Sequence, residues 1–218
     1  MSLAFLVSVT GCDSMHPGAA AVVGDTTIQE SELDHFVDAL CVSNSVAASQ
    51  GGAPTDQAAT RDLRRTILNV LIQSELATQA AEKNGVSVTD GDVQRRLASG
   101  TGLPEQLPPA VEEKLTGLIT DLVRASLLTA AIGKQQLSSN SATNISGKQA
   151  AQAGSTYLTH YAEEVGVDVD PRYGTYSALG VTAGSGSLSV PVSNAAVEGN
   201  KAQLSPEWIK QLSASQTC

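Results

Sequence analysis

Aromatic side chains are scarce: Phe, Trp and Tyr together make up 3% of 218 residues, against a hydrophobic fraction of 41%. The core must therefore be built from Leu, Val, Ile and Ala, a mix that favours helices over a β-sandwich. Basic residues are also few. Thirteen Lys and Arg face 22 Asp and Glu, the formal net charge is −9, and no basic run occurs. Phosphate binding leans on Lys and Arg, so nucleic acid is not an expected partner, and a polybasic hold on anionic lipid is not expected either. Catalytic patterns are missing as well: no G-x-S-x-G elbow, no H-E-x-x-H pair and no P-loop lysine. His16, His35 and His160 fall in a tether and on two different predicted helices, without metal-ligand spacing. His160, beside Tyr161 and Glu163-Glu164, is the best of a weak set. Asp168, Asp170 and Arg172 offer a local ion pair, or the two carboxylates a cation, but no third ligand accompanies them. Gly180 to Gly186 reads as a flexible loop rather than a phosphate cradle. No catalytic residue, metal or cofactor is implied, and the chain is not expected to be an enzyme.

Helical periodicity is what the chain does have. Its length suits one domain plus appendages. Pro54 to Asn84 is the expected central helix, with Pro54 at its first position and Gly85 at its stop. Leu63, Ile67, Val70, Leu71 and Ser74 mark one face of it, and Leu68, Ile72 and Leu76 a second, so neighbours are needed on more than one side. Before it, Ala19 to Ile28 is β-prone with Gly24-Asp25 as a turn, and Gln29 to Ala48 is a first amphipathic helix. After it, Thr89 caps a short helix that ends near Gly100. Pro109 opens a long helix with Val111, Leu115, Leu118, Ile119, Leu122, Val123, Leu127 and Ile132 inward. Lys134 to Lys148, dense in Ser and Asn, is expected to be a linker. A final helix follows from about Gln149 to Val165, with Gly154, Leu158, Tyr161 and Val165 inward. Val167 to Ala178 is β-like, Leu188 to Val192 is expected as a short edge strand, and Pro206 starts a last helical turn carrying Trp208 and Leu212. The tail from 179 to 218 is expected to pack loosely.

The first residues, MSLAFLVSVTGC, form an apolar run that ends in small residues and a cysteine. Val9-Thr10-Gly11-Cys12 resembles a bacterial lipobox, which makes Cys12 the expected lipid-attachment residue. No Lys or Arg precedes the run and it is short, so residues 1–12 are expected to be a truncated lipoprotein signal peptide and 13–18 a tether. The alternative is a buried N-terminal strand or helix turn. An exported protein normally pairs its remaining thiols, which points to a Cys41–Cys218 bridge; the alternative is two unrelated thiols.

Two stretches carry a family resemblance. Ala20 to Ile28, followed by Glu32-Leu33, resembles the strand that leads into the first helix of SurA-type N-terminal chaperone domains. Val169-Asp-Pro-Arg-Tyr-Gly174 resembles the return strand that closes that domain in exported lipoproteins of high-GC Gram-positive bacteria. The resemblance covers residues 19–178. It implies a mainly α, SurA/trigger-factor-like helical bundle, with a small two-stranded β element joining the N-terminal and late strands. Relatives usually carry a parvulin prolyl-isomerase module between the bundle helices and the closing helix. Here that slot holds only Lys134 to Lys148, too short for a module of roughly a hundred residues. Prolyl isomerisation is therefore not implied. The expected function is a lipid-anchored, non-catalytic chaperone or foldase scaffold on the extracytoplasmic face of the membrane, with unfolded or extended exported polypeptides as partners. The alternative is an envelope adaptor that binds one dedicated partner.

Overall fold

Among the residues described by the computed structural model (17–50, 58–139, 144–178, 180–183, 190–201 and 203–218), the periodicity resolves into seven helices and five short strands. Ala19–Val23 (β1) and Thr26–Gln29 (β2) pair antiparallel across the expected turn, where Gly24 takes a φ of 56°. Glu30–Ser49 (α1) follows at once, with Glu30 and Glu32 in its first turn, where the helix dipole favours acids. Thr60–Asn84 (α2) stops at a left-handed Gly85. Asp90–Leu97 (α3) begins on Thr89, closed into a capping box by Asp92. Pro109–Ser139 (α4) starts at its proline, and Gly147–Val165 (α5) on a second capping box made by Ser146 and Gln149. Val167–Val169 (β3), Thr175–Ser177 (β4), Gly180–Thr182 (β5), Asn194–Gly199 (α6) and Pro206–Ile209 (α7) complete the order.

The chain is a mainly α bundle with α2 at its centre, packed against α1, α4, α5 and β1. The stripe Leu68, Ile72 and Leu76 is fully buried, while Leu63, Val70 and Leu71 sit at the margin of the core. β1 pairs with the late strand β3 as well as with β2, so the sheet order is β2-β1-β3, three strands rather than two. α4 and α5 cross unusually closely. A Cβ built on Gly133 lies 1.9 Å from the carbonyl oxygen of Ala150, and one built on Gly154 lies 1.9 Å from that of Thr129. Only glycine at both positions allows this backbone approach.

Several expectations are corrected. Pro54 lies outside the described residues and does not open α2. Ala58 and Ala59 are extended and pair with the C-terminal segment, which forbids a helix there. Lys134 to Ser139 is helix, not linker. Ile132 and Gly133 bury against α5, and the Gln135 side chain donates to the Asn84 carbonyl at 3.2 Å, so packing overrides the poor propensity of the serines. The inner face of α4 is Leu115, Leu118, Ala125, Leu128 and Ile132; Ile119, Val123 and Leu127 are only partly buried, and Leu122 is exposed. Gly180 to Thr182 is a strand rather than loop. Val190 to Val192 forms no strand, and residues 188–189 lie outside the described residues.

The tail is not loose either. Cys218 exchanges backbone hydrogen bonds with Ala58 (2.9 and 3.3 Å), and Thr60 donates to the Gln216 carbonyl at 2.9 Å. Arg61 donates to the carbonyls of Gly199 and Lys201, and Leu204 is buried. These contacts fasten Gly199, Lys201, Gln216 and Cys218 to the start of α2.

Candidate functional site

Four elements leave a hollow of about 310 Å³ between them: β2, α1, α2 and α4. Its floor is apolar, with Ile28 from β2, Leu71 from α2 and Leu118 from α4. Helical spacing builds the walls. Leu71, Ser74, Glu75 and Thr78 recur at three- and four-residue steps on α2, Leu118, Asp121 and Arg124 at three-residue steps on α4, and Glu32 comes from the first turn of α1.

The rim is acidic. The Arg124 guanidinium turns away to Asp90 Oδ1 at 2.8 Å, tying α4 to the start of α3. Glu75 accepts a 2.7 Å hydrogen bond from Gln79 Nε2, which also reaches the Val23 carbonyl (3.0 Å) and Thr26 Oγ1 (3.2 Å) and so fixes the hairpin against α2. Among the described residues no Lys, Arg or His forms an ion pair with Glu32, Glu75 or Asp121. Burial, and then the like charges of Asp121 and Glu75, raise the Glu32 carboxyl above its ordinary value.

One side of the hollow is a strand edge. With order β2-β1-β3, the far side of β2 has no strand partner among the described residues. Val23 and Thr26 flank a two-residue turn and form its hydrogen-bonded pair, so the next pair, Val22 and Thr27, is non-hydrogen-bonded. The backbone N–H and C=O of Thr27 consequently point outward at the groove. No other described group bonds them.

A second constellation closes the fold. Arg172 grips Glu30 through both carboxylate oxygens (2.9 and 3.1 Å) and Asp170 likewise (3.0 and 2.9 Å). Tyr173 is buried, its hydroxyl donating to Glu30 Oε1 at 3.2 Å and its carbonyl accepting from Arg65 Nε at 3.0 Å. These bonds join the turn after β3 to α1 and α2. The guanidinium beside it holds the Asp170 carboxyl below its usual range, while burial and the Glu30 charge push the Tyr173 hydroxyl up to about 12. The Asp170–Arg172 ion pair expected for this stretch is formed.

Cys41 and Cys218 come to disulfide distance, with Cα atoms 5.0 Å apart. Cys12 and His16 lie outside the described residues. His35 is exposed, and His160 is exposed with Glu163 at 3.7 Å; neither faces the groove. The periodicity reading passed over Glu75, Asp121 and Arg124. Their signal was present: Asp121 and Arg124 are the only charges between Leu115 and Gly133, an acid–base pair interrupting an otherwise uncharged stretch of α4.

Residues 1–104, just under half of the chain, match the model of the SurA-like N-terminal domain. No curated protein and no solved structure matches the chain. The matched stretch contains β1, β2, α1, α2 and α3, and with them three of the four elements around the groove.

Proposed function

We propose that the chain is an exported, lipid-anchored and non-catalytic holding chaperone, which keeps unfolded or extended segments of secreted polypeptides from aggregating. One observation carries this reading: the groove joins an apolar floor to a strand edge unpaired among the described residues, on a scaffold similar to the SurA-like N-terminal domain. Main-chain pairing at a sheet edge is indifferent to sequence, and an apolar floor accepts any aliphatic or aromatic side chain. Both properties suit a holder of many clients. Between α4 and α5 only residues 140–146 intervene, and the holding role needs no isomerase module there. Cys12 serves as the lipid-attachment residue on the extracytoplasmic face, and Cys41 and Cys218 form a disulfide that fastens the tail to α1.

The experiment is aggregation suppression without ATP. A soluble form starting after Cys12 is mixed with a refolding client at near-equal concentration. Suppression that scales with the ratio is the expected result; none at any ratio refutes the holding role. Substitution Cys12→Ala should abolish membrane fractionation in a bacterial host, and unchanged fractionation refutes the anchor. A second reading, a dedicated-partner adaptor, is favoured by one surface feature. The most exposed large apolar side chains among the described residues are Val190 (81%) and Val192 (94%), two positions apart in the tail. Capture of a single envelope protein, lost in Val190→Ser with Val192→Ser, would establish that reading.

A further inference from the structure

We propose that the groove beside β2 takes an extended polypeptide segment bearing a lysine or arginine. The segment adds to the Thr27 edge and places its cation among Glu32, Glu75 and Asp121. The inference rests on the client-holding reading and narrows it from any extended segment to one of a stated pattern.

Three features of the groove lead there. The first is the edge. Thr27 presents one outward N–H and C=O pair, the requirement for antiparallel strand addition, and Thr26, Thr27 and Ile28 all line the hollow. The second is the floor. A strand laid on this edge directs alternate side chains into the hollow, so an apolar residue over Ile28, Leu71 and Leu118 is followed two positions on by a residue at the rim. The third is the charge at that rim. Three carboxylates on three different elements line it without a basic partner among the described residues, and the cation of the walls, Arg124, is engaged by Asp90. Burial raises the Glu32 carboxyl first, and the like charges of Asp121 and Glu75 raise it further, a repulsion that an incoming cation relieves.

The occupant follows from chemistry. A bare divalent ion needs several oxygens converging at short range, and among the described residues no group of three His, Cys, Asp or Glu is placed to hold a metal. A lysine or arginine side chain fits both parts of the site, its aliphatic stem lying over the apolar floor and its charged head among the carboxylates. A second copy of this chain is disfavoured by its net charge of −9. The expected motif is therefore apolar–x–Lys or apolar–x–Arg in an extended segment. The same net charge speeds the approach of such segments and makes their association fall with salt.

The test uses the full chain and short fluorescent peptides of alternating valine and threonine with one central lysine. Two companions replace that lysine by glutamate or methylate the backbone nitrogens that face the edge. Fluorescence anisotropy at low and raised salt reads binding, and hydrogen exchange of the Thr27 amide reads strand addition. The lysine peptide should bind about ten-fold tighter than the glutamate peptide, about 1.4 kcal/mol. That preference should collapse at high salt and in Glu75→Gln with Asp121→Asn, and survive in Asp121→Glu. Methylation should abolish binding, and Thr27 should exchange more slowly when the lysine peptide is bound. Far-UV circular dichroism and melting confirm that each variant is folded.

Equal affinity for the two peptides overturns the inference, as does a charge preference unchanged in the neutralised variant. So does peptide binding that vanishes as the chain self-associates, because a second copy then fills the groove. Aggregation suppression separates the two levels of the argument. Clients held without any charge preference leave the holding role standing and this inference refuted. Charge-selective binding without suppression refutes the holding role and leaves the groove as the recognition site of a basic partner.

Discussion

Replacing Gly154 by alanine adds a single methyl group at the α4–α5 crossing and should be among the most damaging changes in the chain. The new Cβ falls 1.9 Å from the Thr129 carbonyl oxygen, 2.7 Å from its carbonyl carbon and 2.9 Å from Thr129 Cγ2. Two of those three atoms are backbone, so no rotamer change relieves the overlap. A carbon–oxygen contact settles near 3.3 Å, which requires the helices to part by about 1.4 Å. A gap of even 0.5–1 Å forfeits a quarter to a half of each dispersion contact, and α4–α5 is the most extensive helix pair of the fold. Overpacking of a well-filled core costs about 1–3 kcal/mol, and a rigid backbone clash sits at the upper end of that range. Alanine returns up to about 1 kcal/mol of helix propensity, leaving a net loss of about 2–3 kcal/mol. For a chain of this size each kcal/mol moves the midpoint by about 2–4 °C, so Tm should fall by about 4–12 °C.

The internal control is Gly117→Ala. It lies on α4 as well, exposed, and a Cβ there meets nothing within 4 Å. That variant should be unchanged or more stable by up to about 1 kcal/mol. Because one parting of the helices makes room for both methyl groups, Gly133→Ala combined with Gly154→Ala should cost clearly less than the sum of the single changes. Differential scanning calorimetry and urea unfolding at a common pH measure the four variants and the wild type. A Gly154→Ala protein as stable as Gly117→Ala would refute the close crossing.

Cys218→Ser should lower stability by up to about 5 kcal/mol in oxidising buffer, from the loop of 177 residues between the two thiols, and change nothing under reductant. Equal urea midpoints for variant and wild type in oxidising buffer would count against the bridge. Asp170 carries a depressed carboxyl pKa, so its contribution is present above the ordinary value of 3.8 and is lost as pH falls through the folded value. Arg172→Ala should remove this acid-side loss below about pH 4 and destabilise at neutral pH, read from urea midpoints across the acid range. Tyr173 is the opposite case. Its hydroxyl is raised, so its contribution is whole below 10 and is lost as pH rises through about 12. Tyrosinate absorbance should show a late-titrating fraction that Tyr173→Phe reduces but does not remove, because burial raises the Tyr161 and Tyr176 hydroxyls as well. Ser146→Ala deletes the α5 cap and should cost about 1 kcal/mol, with α5 amides exchanging faster at their N-terminal end.

Much of the bundle was legible because its signals are local. Gly24-Asp25, Thr89 with Asp92, Pro109 and Gly85 each mark an element boundary by their own chemistry, and each stands where the pattern put it. The pairing of the late strand with the first was legible only through the resemblance of Val169 to Gly174 to a return strand, although Arg172 and Tyr173 themselves stand in the turn just after β3. The remaining differences share one cause. Lys134 to Ser139 stays helical, and Ala59 stays extended, because of residues far away in sequence: Gly154 opposite Gly133 in the first case and Thr217 opposite Ala59 in the second. Propensity sums are blind to such neighbours. The groove was illegible for the same reason. Glu32, Glu75 and Asp121 belong to three helices, and no spacing along the chain announces that they share a rim.

The lock between Arg172 and Glu30 has a consequence for the order in which the protein is made. A chain synthesised from its N-terminus exposes β1 and α1 long before β3 and Arg172 arrive. Until they do, β1 lacks one of its two partners and Glu30 its counter-ion. The fastening of Ala58 to Cys218 comes later still. Such contacts, between segments far apart in sequence, are slow to form, and a nascent chain waiting for them keeps both an unfinished sheet and apolar helix faces open to its surroundings. A protein of this plan spends the first part of its own life as the kind of extended, unpaired segment that its groove is proposed to receive.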